Sequence, residues 1–169
     1  MSKTYPKRLE DFAKKYVPLL RTYLEREELR DIDKVIREEL VKKVQGIIEQ
    51  INTGQQNQVD SGKLSGLDLL QRTAHKLEKV RDKIKFAVRG YSGIFDLNQI
   101  AEEELKGLLD FDQKLFTLVE ELEMNLKEIL ARPSTELKSA LSGFDKKIKF
   151  FEAFLEERGK SAQKVKAEK

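Results

Sequence analysis

Cysteine and tryptophan are missing from this chain altogether, and histidine occurs once. Without cysteine there is no disulfide, thiolate metal site, iron–sulfur cluster or cysteine nucleophile, so packing alone must hold the fold. With His75 as the single histidine, a metal site of the two- or three-histidine kind cannot be assembled in one chain. Paired Glu-x-x-His ligand sets are excluded as well, because Arg72 stands three residues before His75. A serine or threonine triad would have to draw on that same histidine, and neither a Gly-x-Ser-x-Gly turn nor a strand pattern exists to present a nucleophile. No cofactor and no metal are expected, and the reading leans away from an enzyme. Nor does any window approach the roughly 20 apolar residues of a membrane span. The opening Met1-Ser2-Lys3-Thr4-Tyr5-Pro6-Lys7-Arg8 lacks the apolar run of a signal peptide. A cytoplasmic protein without a membrane partner is the expectation.

What is present is charge in a helical rhythm. Of 169 residues, 37% are charged and 39% hydrophobic, and the two classes alternate at amphipathic-helix spacing rather than separating into blocks. The abundance of lysine and glutamate is compatible with a heat-adapted source. The net charge of +3 hides an asymmetry: residues 96 to 131 carry ten acidic and three basic side chains, while residues 66 to 95 carry seven basic and three acidic. Residues 132 to 169 carry ten basic and six acidic. An acidic helix between basic neighbours predicts charge complementarity inside the molecule.

The dominant stretch is Leu97 to Leu130. Ala101, Leu108, Leu115, Leu122 and Ile129 alternate with Leu105, Val119 and Leu126 at heptad spacing. Leu109, Phe111, Phe116, Leu118 and Leu130 widen that face beyond what one partner helix needs. The pattern predicts an all-α fold: an elongated antiparallel bundle of four to five helices, packed as in coiled coils around one long central helix. Residues 1–159 form a single domain in this reading. Helices are expected at about 6–28 with a kink at Pro18, and at 31–52, 65–89, 96–131 and 134–158. Residues 24–31, where the apolar stripe slips, either continue or break the first helix.

The polar run from Thr53 to Leu64 reads as a flexible loop. Ser65 is placed to cap the next helix, with Asp68 in the capping box and Leu64 stapled to Leu69, while Gly90 can end it. Asp96 with Gln99 and Phe95 with Ile100 repeat those devices for the long helix. Pro133 stops that helix, Ser134 can cap the last one, and Gly159 can close it. Residues 160–169, with four lysines, read as a disordered basic tail. Short turns predict hairpins in which residues summing to about 186 lie level in the first and those summing to about 265 in the second.

Few residues stand out as carriers of chemistry. Asp112 occupies an apolar seam position. It either turns to the rim while Phe111 fills the core, or sets register with a basic partner such as His75, Arg72 or Lys76, or serves as an active-site carboxylate. Arg72, Lys76, Lys79 and Lys83 form a basic stripe that could track phosphates, although no aromatic platform interleaves it. Phe150 is the member of the Phe144, Phe150, Phe151 and Phe154 cluster expected at a subunit or partner contact. Gly54 to Lys63 lacks the strand, the first glycine and the final Ser or Thr of a phosphate-binding loop.

Ala74-His75-Lys76-Leu77 resembles the start of the Ala-His-x-Leu-Lys-Gly motif of histidine phosphotransfer domains, over about four residues. That resemblance implies a helical bundle with an exposed, phosphorylatable His75. Glu78 and Lys79 depart from it, standing where the motif has Lys and Gly. The function expected is non-enzymatic: a bundle acting through protein–protein interaction or self-association. The alternatives are nucleic-acid binding along the basic stripe and phosphotransfer at His75.

Overall fold

A computed structural model describes residues 7–16, 32–87 and 102–167. Among them run five helices: α1 (Lys7–Tyr16), α2 (Ile32–Asp60), α3 (Leu67–Phe86), α4 (Glu102–Leu130) and α5 (Leu137–Ala167), with a 3-10 turn at Ser134–Glu136 before α5. No strand occurs among the described residues. The Pro18 kink, residues 24–31, Gly90, the Tyr91–Phe95 connector and the Asp96 cap lie outside them.

Each long helix contributes a heptad-like stripe to one core. Ile36, Leu40, Val44, Ile47 and Ile51 come from α2, and Leu70, Ala74, Leu77, Val80 and Ile84 from α3. From α4 come Leu108, Leu115, Leu122, Leu126 and Ile129, and from α5 Leu137, Phe144, Ile148 and Phe151. The fold is a helical bundle, and its helices are arranged as a ring in which α2 touches α3 and α4 while α5 touches the same two. Among the described residues, no Cα of α3 lies within 8 Å of one of α4. The α2/α3 and α4/α5 hairpins lie side by side in the same sense: Lys76 pairs with Asp145 and Lys83 with Glu152, so α3 and α5 run parallel.

That ring corrects the first hairpin of the sequence reading. Helix α3 sits diagonally across from α4 rather than against it, so residues of these two helices summing to about 186, such as His75 and Phe111, are not adjacent. The second hairpin map holds, since Phe111 and Phe154 rings stand 5.1 Å apart. Helix α1 packs on the outer flank of α4, where Phe12 meets Phe116 edge-on at 5.6 Å and Tyr16 lies 5.3 Å from it.

Several boundaries move, each for a physical reason. Residues 53–60 are helix, not loop. Gly54 sits where α2 approaches α4 so closely that a Cβ would lie 2.8 Å from Leu130 Cδ2, so the glycine serves packing rather than a turn. Gln55 bonds across to the Leu67 carbonyl and to Gln71, and Gln56 bonds Asp60, which gives the polar run partners on a helix surface. The helix ends in a Schellman motif at Gly62, φ +69°, where Lys63 N–H donates to the Gln58 carbonyl and Gly62 N–H to that of Val59.

Gly66, φ +88°, is the N-cap of α3 in place of Ser65, and no side chain caps that end. Leu64 is 68% exposed, so the expected staple to Leu69 is not formed. Helix α3 stops at Phe86, short of Gly90: Ala87 turns to extended backbone, and Arg37 of α2 donates to the carbonyls of Lys85 and Ala87. Ser134 begins the 3-10 turn instead of capping, and α5 continues through Gly159 to Ala167, replacing most of the expected disordered tail with helix.

Candidate functional site

Among the departures from simple core packing are one inside the bundle and one on its surface. The inner one is Asp112, a seam residue of α4 that is 0% exposed. Its Oδ1 accepts a 2.7 Å hydrogen bond from Arg158 Nε, and its Oδ2 a 3.2 Å bond from Arg158 Nη2. Arg158 is itself 3% exposed. A guanidinium edge laid against both carboxylate oxygens is the geometry in which a buried pair best offsets its lost hydration. The rim position for Asp112 is therefore wrong, and the basic partner is neither His75, Arg72 nor Lys76. The missed residue had a signal: the α5 seam of Leu141, Phe144, Ile148, Phe151 and Leu155 reaches Arg158 at its next step. Helical side chains lean toward the N-terminus, which brings Arg158 back about a turn toward the level of Asp112.

His75 lies on the exposed face of α3, away from that pair. Its Nδ1 is 2.9 Å from Glu78 Oε2 and its Nε2 3.1 Å from Gln71 Nε2. The ring is thus held by neighbours on its own helix, and its hydrogen bonds among the described residues are confined to α3.

Of the basic stripe, Lys76 and Lys83 face α5, not the acidic α4. Lys76 pairs with Asp145, Lys83 with Glu152 and Glu156, and Arg72 with Asp68 on its own helix. Lys79 is exposed and makes no ion pair among the described residues. Lys76, with Lys149, holds the Asp145 carboxyl below its ordinary range, and Glu152 and Glu156 raise Lys83. The charge complementarity expected from composition lies between α3 and α5. Helix α4 directs its acids elsewhere: Glu120 to Lys43 and Glu123 to Gln50, both on α2, and Glu123 also to Lys127.

The outer feature is the groove between α4 and α5. Phe150 is 56% exposed and stacks on Phe154 at 6.5 Å, which in turn meets Phe111. A depression of about 310 Å³ adjoins Phe150, lined on α4 by Lys114, Leu118, Glu121 and Leu122, and on α5 by Lys146 and Lys147. The aromatic strip thus continues into an apolar floor with lysines along its edges.

Comparison with protein-family models, curated proteins and solved structures finds no match. The reading of the site therefore rests on its chemistry. No three His, Asp or Glu side chains among the described residues converge as a bound metal would need. No described helix is long and apolar enough to cross a membrane. The buried carboxylate of Asp112 is engaged by Arg158, so it has geometry for fixing helix register rather than for meeting a substrate.

Proposed function

We propose that this chain is a non-enzymatic binding bundle, which works by holding another protein or a second copy of itself. The observation that carries the reading is Phe150, an aromatic side chain left largely in water on a regular helix and joined to an apolar strip. Leaving such a surface hydrated is unfavourable unless something covers it, and exposed apolar clusters with polar edges mark contact surfaces. The remaining distinctive polar groups support the same reading. Asp112 and Arg158 are occupied with each other, and His75 is tied to Glu78 and Gln71.

The test is a photoreactive benzoylphenylalanine introduced at position 150 of the full chain. It is irradiated in the purified protein and in a lysate of the source organism. A discrete adduct with a protein or a second copy is expected, absent when the same group replaces exposed Lys34 on α2. No adduct from either source, together with a monomer in sedimentation velocity, would overturn the reading.

A further inference from the structure

The groove carries information about its occupant as well as its existence. Lys114, Lys146 and Lys147 line it, and none of them makes an ion pair among the described residues. Lys43, Lys76, Lys83 and Lys149 have carboxylate partners on the chain itself, while Lys79 on α3, like the groove lysines, has none among the described residues. Glu121 is the sole carboxylate in the groove lining, which leaves the groove cationic around an apolar floor of Leu118, Leu122 and Phe150.

The shape selects a helix. The described residues offer no strand edge, and a groove between two antiparallel helices accepts a third by ridge-into-groove packing. On the opposite flank of α4, α1 packs against that one helix and seats Phe12 and Tyr16 on Phe116. Self-pairing through the same groove is disfavoured, because two-fold symmetry would bring the lysines of one copy toward those of the other.

We propose that the α4–α5 groove binds an acidic amphipathic helix from a different protein. Its apolar side chains, spaced i, i+3 or i+4, i+7, sit on Leu118, Phe150 and Phe154, and its Asp and Glu residues face Lys114, Lys146 and Lys147. This inference rests on the binding role proposed above and names the partner's chemistry.

A displayed library of helical peptides with randomised faces tests it without presuming a sequence. Selection uses the full chain, with counter-selection against the Phe150→Asp variant. The expected winners are helical, carry the apolar spacing and are net acidic. The tightest winner, followed by fluorescence anisotropy, should lose at least about tenfold in affinity to Phe150→Ala. It should lose a similar factor to the combined Lys114→Glu, Lys146→Glu and Lys147→Glu variant and weaken as salt rises. Circular dichroism of both variants checks that the bundle is intact.

Winners that are basic, neutral or non-helical would overturn the acidic-helix assignment, as would affinity indifferent to the lysine reversal. So would self-association lost on Phe150→Asp, which would give the groove to a second copy and leave the broader binding role standing. A selection that yields nothing dependent on Phe150 also overturns the assignment. The cross-link at position 150 then decides separately whether the binding role survives.

Discussion

Asp112 and Arg158 meet edge to edge inside the bundle, with Nε to Oδ1 at 2.7 Å and Nη2 to Oδ2 at 3.2 Å, one residue from the seam of α4 and the other from that of α5. The pair ties one level of α4 to one level of α5. A heptad slip would move Arg158 away and break both of its hydrogen bonds to the buried carboxylate, so the pair disfavours the slipped registers of this hairpin.

Removing either partner should therefore be costly. Asp112→Ala and Arg158→Met are each expected to lower unfolding free energy by about 3–5 kcal/mol, because each breaks a buried, two-bond charge pair. The double variant should lose less than the sum of the two. Urea denaturation of the four proteins measures this, and additive losses would show that the pair is not coupled.

Glycines at two positions should respond with opposite signs. Gly66 has φ +88° and a Cβ there would lie 3.2 Å from Leu137 Cδ1, so Gly66→Ala is expected to cost at least about 1–2 kcal/mol. Gly46 stands in mid-helix with open space where a Cβ would go, and Gly46→Ala should stabilise by about 0.5–1 kcal/mol. Thermal midpoints moving down for the first and up for the second are the expected result.

The α3–α5 ion pairs predict a defined pH response. The Asp145 carboxyl is lowered from its ordinary 3.8, chiefly by Lys76, so its contribution is present above that value and disappears as pH falls through the folded-state value. Lys83 is raised from 10.5, chiefly by Glu152, so its contribution is present below 10.5 and is lost as pH rises through the folded-state value. Both lysines are half exposed, and each pair is expected to contribute about 0.2–1 kcal/mol at neutral pH. Lys76→Met should match the wild type in urea at pH 2 and fall below it at pH 6. Lys83→Met should fall below it at pH 6 and converge with it at strongly alkaline pH.

Phe144 and Phe150 lie less than two turns apart on α5 and should behave as different kinds of residue. Phe144 is fully buried, and Phe144→Ala is expected to cost about 3–5 kcal/mol. Phe150→Ala should cost clearly less, about 0.5–1.5 kcal/mol, since more than half of this side chain stays in water. A large loss at Phe150 would place it in the core and remove the basis for a binding groove.

Periodicity in the sequence determined the helices and their buried faces, because heptad spacing requires only local geometry and the tendency of apolar stripes to leave water. Spacing alone assigns Leu108, Leu115, Leu122 and Ile129 to the core of α4, and Leu137, Phe144, Ile148 and Phe151 to that of α5, and all eight are buried. The oddity of Asp112 and the exposure of Phe150 were legible for the same reason. Only the tertiary structure decided which helices are neighbours. A stripe specifies that a face is buried, not against what, so the diagonal placement of α3 and α4 had no local signature. Residues 53–60 mislead for a related reason: Gly54 and the glutamines look like a loop until Leu130 is packed on one side and α3 accepts hydrogen bonds on the other. The groove edged by Lys114, Lys146 and Lys147 likewise arises only once α4 and α5 lie side by side, since residues some thirty apart in sequence acquire a shared surface through packing alone.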